Sequence, residues 1–199
     1  MGATRTVAPT NTPTWPVPPP GGWTSADLDR LPDLPPHTEL LDGNLVFRSP
    51  QRNFHNYAIN LLQCGLLATR PVDLAVIGEM TVTLGKRDRP EPDLMVVPRA
   101  AVIDDQQSDY QPKDVLLAVE VVSPDSVERD REVKPRKYAG AGVRHYWRVE
   151  NEKGELAVYV YERDVATGAY QPAGIHRGRL TLDLPFPIDI DLGDPQRWL

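Results

Sequence analysis

Apolar residues recur along this chain with two different periods, and the switches between them predict the order of elements. Helical spacing comes first in "TSADLDRLP", where Thr24 or Ser25 can cap a short helix carrying Leu28 and Leu31. In "TELLDGNLVFRS" the Asp42-Gly43 pair sits between two short apolar runs. This predicts a hairpin, because Gly tolerates the positive φ of a tight turn, and it puts Glu39 on or beside a strand. "HNYAINLLQCGLLATR" returns to helical spacing through Ile59, Leu62, Leu66 and Leu67 and ends before Pro71. Three segments rich in Val, Leu and Ile follow, "DLAVIGEMTVTLG", "EPDLMVV" and "DVLLAVEVV", separated by turn residues and predicted as strands. The last is apolar on both alternating faces, with Leu116 and Ala118 on one and Leu117, Val119 and Val121 on the other, as suits a central strand covered on both sides. "DREVKPRKYAGAG" predicts a helix closed near Gly140 or Gly142, and "VRHYWRVE" the next strand. "ELAVYVYERD", "AYQPAG" and "RLTLDLP" predict a meander of hairpins, giving a mixed sheet flanked by few helices.

Composition narrows the class. The 199 residues suffice for one domain with a substantial core, and 40% hydrophobic with 25% charged residues is globular. The Pro- and Thr-rich stretch 1–22, containing "TPTWPVPPPGG", is expected to be a flexible arm, with the folded domain spanning 23–199. No run is long and apolar enough for a membrane span, and the start lacks the apolar core of a signal peptide, so no membrane partner and a cytoplasmic location are expected. The lone Cys64 excludes an intrachain disulfide and a Cys-based zinc cluster; within "AINLLQCGLL" it reads as a buried small hydrophobe.

A net charge of −6 argues against a protein that coats nucleic acid by charge alone. A local basic cleft remains open through Arg129, Arg131, Lys134, Arg136 and Lys137 of "RDREVKPRK", and the plainer reading of that run is a solvated helix face.

The residues that call for a chemical explanation are Asp93 and Glu120, carboxylates set against two of the most apolar β-branched runs. A carboxylate in a doubly covered strand costs several kcal/mol, roughly, unless it is paired, hydrogen-bonded or bound to a cation. Two neighbouring strand ends could bring both acids to one hard cation such as Mg²⁺ or Mn²⁺, which takes oxygen ligands. The plainer alternative is a buried ion pair with an arginine.

"TELLDGNLV", "SPQRNFHNYAINLL", "EPDLMVV", "LAVEVVSPDS" and "RDREVKPRKYAGAGVRHYWRVE", in that order, resemble the Uma2 family (DUF820), a branch of the PD-(D/E)xK restriction-endonuclease-like superfamily. The resemblance covers roughly Trp23 to the C-terminus. It implies an α/β fold, a restriction-endonuclease-like mixed β-sheet flanked by helices with additional β-hairpins. It also implies a metal-dependent endonuclease-like phosphodiester hydrolase. The superfamily pattern would put a lysine two residues after the glutamate, where this chain has Val122. In this branch the following helix commonly supplies it, and the matching residue is Lys134. The implied site has Asp93 and Glu120 as metal ligands with the Val121 carbonyl, Lys134 orienting water or stabilising charge, and Glu39 as a third acid. His55, Arg131, Lys137 and Tyr138 are expected to contact substrate. The plainer roles are a hairpin-edge charge for Glu39, a helix-start residue bonding a carbonyl for His55, and an i, i+4 partner of Asp130 for Lys134.

Pro135 complicates the lysine. A continuous helix through "EVKPRKY" would lose a hydrogen bond at Pro135, whereas a helix starting near Glu132 would carry it in the first turn. That shift would turn Lys134 and could bring Lys137 into its place. Nucleic acid, DNA before RNA, is the expected partner, and a non-catalytic binding or assembly module on the same fold is the alternative. A homodimer is expected because segments such as "VYVYE" offer strand edges.

Overall fold

The computed structural model describes residues 17–193. The expected arm 1–22 therefore lies mostly outside the described residues, Trp15 included. The first helix, α1 (Ser25–Leu28), is capped as its sequence suggests, by a reciprocal Thr24–Asp27 capping box. The hairpin of β1 (Glu39–Leu41) and β2 (Asn44–Val46) turns through Asp42 at φ 52° and Gly43 at φ 77°, two consecutive left-handed residues that few pairs other than Asp-Gly or Asn-Gly adopt. The long helix α2 (Asn53–Thr69) stops one residue before Pro71 is reached. It buries Leu61, Leu62 and Leu66, while Leu67 is 44% exposed and Cys64 faces outward. Cys64 is thus not the buried small hydrophobe that its apolar neighbours suggested: the helix phase that buries Leu61 and Leu62 turns it to solvent.

The predicted strand "DLAVIGEMTVTLG" is broken in two, β3 (Leu74–Gly78) and β4 (Thr81–Val82), by Glu79 at φ 50°. Next come β5 (Leu94–Pro98), the short β6 (Asp109–Tyr110), which pairs with β4 in parallel, and the central β7 (Leu117–Val121). Between β7 and its parallel neighbour β8 (His145–Glu152) the chain makes a wide π-type turn over Arg129–Val133 and then α3 (Lys134–Gly140). The α-helix proper starts at Lys134, so Pro135 falls in its first turn, where its missing N–H costs nothing. The chain finishes with β9 (Glu155–Arg163), β10 (Tyr170–Arg177), β11 (Arg179–Leu182) and β12 (Ile188–Asp191).

Six strands form one mixed sheet in the order β10-β9-β8-β7-β5-β3, and β11-β12 make a separate hairpin sheet. The strand containing "VYVYE" is β9, paired on one side with β8 and on the other with β10, so it offers no edge to a second copy. On one sheet face α2 and the β11-β12 hairpin cover Leu94, Val96, Leu117, Val119, Val121, Trp147 and Val149. On the other, Met95, Val97 and Ala118 meet Tyr138, Val143 and Tyr146. The expected alternation is present from Leu117 to Val121, but Leu116, expected beside Ala118, precedes the strand and packs on the Leu117 side; Glu120 falls on the second face, near the end of an otherwise apolar strand covered on both sides.

Candidate functional site

Five carboxylates and two cations meet where β1, β5, β7 and α3 converge. Lys134 sits at their centre, 3% exposed, with its Nζ 2.8 Å from Glu39 Oε1, 2.9 Å from Glu120 Oε2 and 3.5 Å from Asp130 Oδ1. The wide turn before α3 determines this. It lets the α-helix begin at Lys134 and points the side chain inward, while Lys137, one turn later, reaches Asp42 and Asp88 at the rim of the hairpin at 2.6 and 2.7 Å. Pro135 does not exchange the two lysines.

Glu120 accepts from Lys134 and, at 2.8 Å, from the hydroxyl of Tyr138. Tyr138, for which the resemblance implied a substrate contact, is fully buried and braces the acid from within the core. Asp93 accepts the Val121 N–H at 2.6 Å through Oδ2, and its Oδ1 meets Arg48 and, 3.2 Å away, His55 Nε2. Val121 thus enters the site through its amide as well as by position. His55 is 4% exposed and lies against Asp93, not free at the surface. Glu39 accepts the backbone N–H of Glu91 at 2.8 Å, and Glu91 in turn holds His37 at 2.6 Å and lies 3.6 Å from Arg48. Glu39, Asp93, Glu120 and Lys134 are therefore brought together, with Val121 and His55 beside them.

Arg131 stays apart, forked onto Glu150 at 2.8 and 2.7 Å. Every cation of the "RDREVKPRK" run has an acidic partner: Arg129 with Asp125, Arg131 with Glu150, Arg136 with Glu132, and the two lysines as above. The run is a set of intramolecular pairs more than an open basic cleft.

Arg48, Glu91 and Asp130 are members of the cluster that the sequence did not single out in that role. The one available signal is "RPEPD", where Glu91 stands two residues before Asp93 in the segment that leads into β5.

The electrostatics follow from crowding. Burial alone would lower the Lys134 pKa, but Glu120, Glu39 and Asp130 override it and hold the ammonium well above its ordinary value. Glu120 goes the other way from an ordinary acid. Burial pushes its pKa well up, Lys134 opposes this, and the neighbouring Asp130, Asp93 and Glu39 add to the rise. For Asp93, burial is outweighed by the His55 contact and the Arg48 charge, which hold it down to about 2.

Among the described residues no group of three His, Cys, Asp or Glu is arranged to hold a metal ion. The donor chemistry nevertheless fits a hard divalent ion. Glu39, Glu91, Asp93, Glu120 and Asp130 are all oxygen donors, all buried, and outnumber Arg48 and Lys134. Both groups of the opening alternative are present: each acid has a cationic partner, and the cluster as a whole still has carboxylate in excess. Its internal cavity measures only about 10 Å³, roughly the room one water needs.

Comparison with known proteins gives the same architecture. A structure from Anabaena variabilis, described as a "putative nuclease belonging to DUF820", superposes with a TM-score of 0.61 at 15% identity, covering 88% of this chain and 98% of that one. At that identity the likeness establishes the fold. No curated protein matches the chain. The profile of the Uma2 family, described as "Putative restriction endonuclease", matches residues 25–193, from the first helix to the end of the last hairpin, and the chain belongs to the Uma2 family.

Proposed function

We propose that the protein is a metal-dependent nuclease that hydrolyses phosphodiester bonds in nucleic acid, DNA in preference to RNA. The observation that carries this reading is the burial of Asp93 and Glu120 in one cluster with an inward-facing lysine. Asp93 and Glu120, with Val121 at the same strand end, would hold Mg²⁺ or Mn²⁺. When bound, such an ion polarises a phosphate oxygen and lowers the pKa of a water.

The chain's own groups do the rest. Lys134 stays protonated because its neighbours are anionic, so it acts as a positive charge facing the developing phosphorane and not as a base. Glu39 fixes the Lys134 ammonium from the hairpin side, and Tyr138 fixes the orientation of Glu120 from within the core. Arg48 and His55 neutralise Asp93, and a substrate phosphate brought to the site offers them another anion.

A second reading is a non-catalytic binding or assembly module. It is favoured by the completeness of the ion pairs, since Lys134 already satisfies Glu39 and Glu120 and Arg48 already covers Asp93. Incubation with mixed DNA and RNA substrates in Mg²⁺ or Mn²⁺, alongside calorimetric titration with Mn²⁺, separates the two. The nuclease reading expects Mn²⁺ binding and cleavage that both fall at least tenfold in Asp93→Asn. Silence in both assays supports the module. With β9 paired on both sides, a cytoplasmic homodimer formed through strand edges would have to use the outer strands β10 or β3, and light scattering at tens of micromolar should then give twice the chain mass.

A further inference from the structure

A second, larger cavity opens beside the carboxylate cluster. It has a volume of about 300 Å³, and the buried His55 and Ser123 are among the residues that line it. Ser123 also lines the small cavity around Glu120 and Lys134, and His55 touches Asp93, so the two spaces adjoin. Its walls are apolar and partly aromatic: Phe54 from the first turn of α2, then Val122, Pro124 and Val127 from the segment after β7. Arg52, Asn151 and the mutually paired Arg131 and Glu150 bring polar groups to it. Arg52 is exposed and has no acidic partner among the described residues, unlike the cations of the "RDREVKPRK" run. Asn151 uses its Oδ1 to accept the Gly154 N–H at 2.7 Å, and its amide nitrogen makes no hydrogen bond among the described residues.

We propose that this cavity receives one unstacked base of the nucleic-acid substrate, beside the phosphodiester presented to Asp93 and Glu120; the proposal rests on the nuclease reading. Its volume is at the lower end of the roughly 300–1,000 Å³ of small-molecule pockets, which suits one base and excludes a base pair. A base needs apolar faces above and below, which Phe54 and the valines supply, and a group that can bond its edge, which the Asn151 amide supplies. The phosphate joined to that base carries a negative charge, and Arg52 is the unpaired cation placed to meet it. The burial of the carboxylates makes the same demand on the substrate. A phosphodiester of a regular duplex is held away by the stacked helix, whereas a strand with one base turned out can place its backbone deeper. The substrate class is therefore a single strand, or a duplex carrying an unpaired or displaced base.

The test uses the full chain, Mn²⁺, and phosphorothioate-linked oligonucleotides that resist cleavage. A short single strand carrying 2-aminopurine is compared with a blunt hairpin duplex of the same sequence, by anisotropy and by 2-aminopurine emission. The single strand should bind about tenfold or more tightly, with a change in emission as the base enters the cavity. Val127→Trp fills the space from a partly exposed position and should remove the preference and the emission change. Asn151→Ala, at an exposed site outside the core, keeps the proposal open to test should the tryptophan disturb the fold, and should weaken single-strand binding severalfold. Equal binding of strand and duplex, or an unchanged preference in both variants, overturns the base pocket. If unmodified substrate is still cleaved in that case, the nuclease reading stands without it; absence of any nucleic-acid binding overturns both.

Discussion

The two faces of β7 come from the same five residues and are built in opposite ways. Leu117, Val119 and Val121 enter a core made with α2, Trp147 and the β11-β12 hairpin, where contact is non-directional and each side chain contributes through the area it removes from water. Ala118 and Glu120 enter the other face, where Tyr138, Lys134, Glu39 and Asp130 hold one another through directed bonds between charged groups. The first face should respond to loss of volume and ignore pH. The second should respond to loss of charge and follow pH. That difference is what the ionic chemistry proposed for this site needs.

The largest effect should come from removing the central cation. Lys134→Met leaves Glu39, Glu120 and Asp130 buried without it and should cost about 3–5 kcal/mol at pH 7. Leu117→Ala on the opposite face should cost a comparable amount, about 2–5 kcal/mol, through the cavity it leaves. The two separate on acidification. Carboxylates whose folded pKa is raised, as Glu120's is, lose their penalty as pH falls toward the ordinary carboxylate value. The Lys134→Met deficit should therefore shrink between neutrality and about pH 4.5, while that of Leu117→Ala stays constant. Urea unfolding at several pH values reads both, and parallel deficits would mean that the two faces are not energetically distinct.

Arg48→Ala should have an intermediate effect, costing about 1–3 kcal/mol, because Asp93 keeps the Val121 N–H and His55. Its pH signature runs in the same direction but in a lower window. Asp93, held down to about 2, contributes stability that is complete above its unfolded value near 3.8 and is lost as pH falls toward 2. Without Arg48 the folded-state value moves back toward 3.8, so less of this stability remains to be lost and the Arg48→Ala deficit should narrow as pH falls from about 3.8 toward 2. The same variant should bind Mn²⁺ more tightly than the wild type, since the cation now covering Asp93 is gone. Weaker binding would mean that Arg48 supports the metal-binding arrangement and does not compete with it.

How much of this was legible in the sequence also divides by face. The apolar side of β7, the long helix and the Asp42-Gly43 hairpin follow from period and turn chemistry, which are local. Asp93, Glu120, Glu39 and Lys134 were marked by their misfit with apolar surroundings and by family resemblance, and the fold brings them together. Arg48 had no such mark. It sits in the irregular link after β2, and its approach to Asp93 depends on how the hairpin crosses the strand ends, which no local pattern encodes. The outward face of Cys64 and the paired state of "VYVYE" failed for a related reason. Apolar neighbours do not fix helix phase, and a strand's own sequence does not say who its neighbours are.

The smallest stability effect should be the most informative one. Glu120→Gln keeps the side-chain volume and removes one negative charge from a cluster that has more carboxylates than cations. Lys134 retains Glu39 at 2.8 Å and Asp130 at 3.5 Å, so it is not left unpaired. The amide can still accept from Lys134 through its oxygen, though the Tyr138 hydroxyl must then reorient to take the amide N–H. Against this modest loss stands a gain. Burial and the nearby Asp130, Asp93 and Glu39 raise the Glu120 pKa, so in the wild type ionising this group costs stability as pH rises above the ordinary 4.5. The variant lacks that cost. In EDTA at pH 7 the two proteins should therefore differ by less than about 1 kcal/mol, with the balance moving toward the variant as pH rises from 4.5 to neutrality. Divalent-ion binding should meanwhile fall at least tenfold, along with cleavage. A loss of about 3–5 kcal/mol in EDTA would instead make Glu120 the indispensable partner of Lys134. If the wild type also showed no Mn²⁺-dependent rise in melting temperature, the charged face of β7 would be a structural ion-pair core and the catalytic reading would fail.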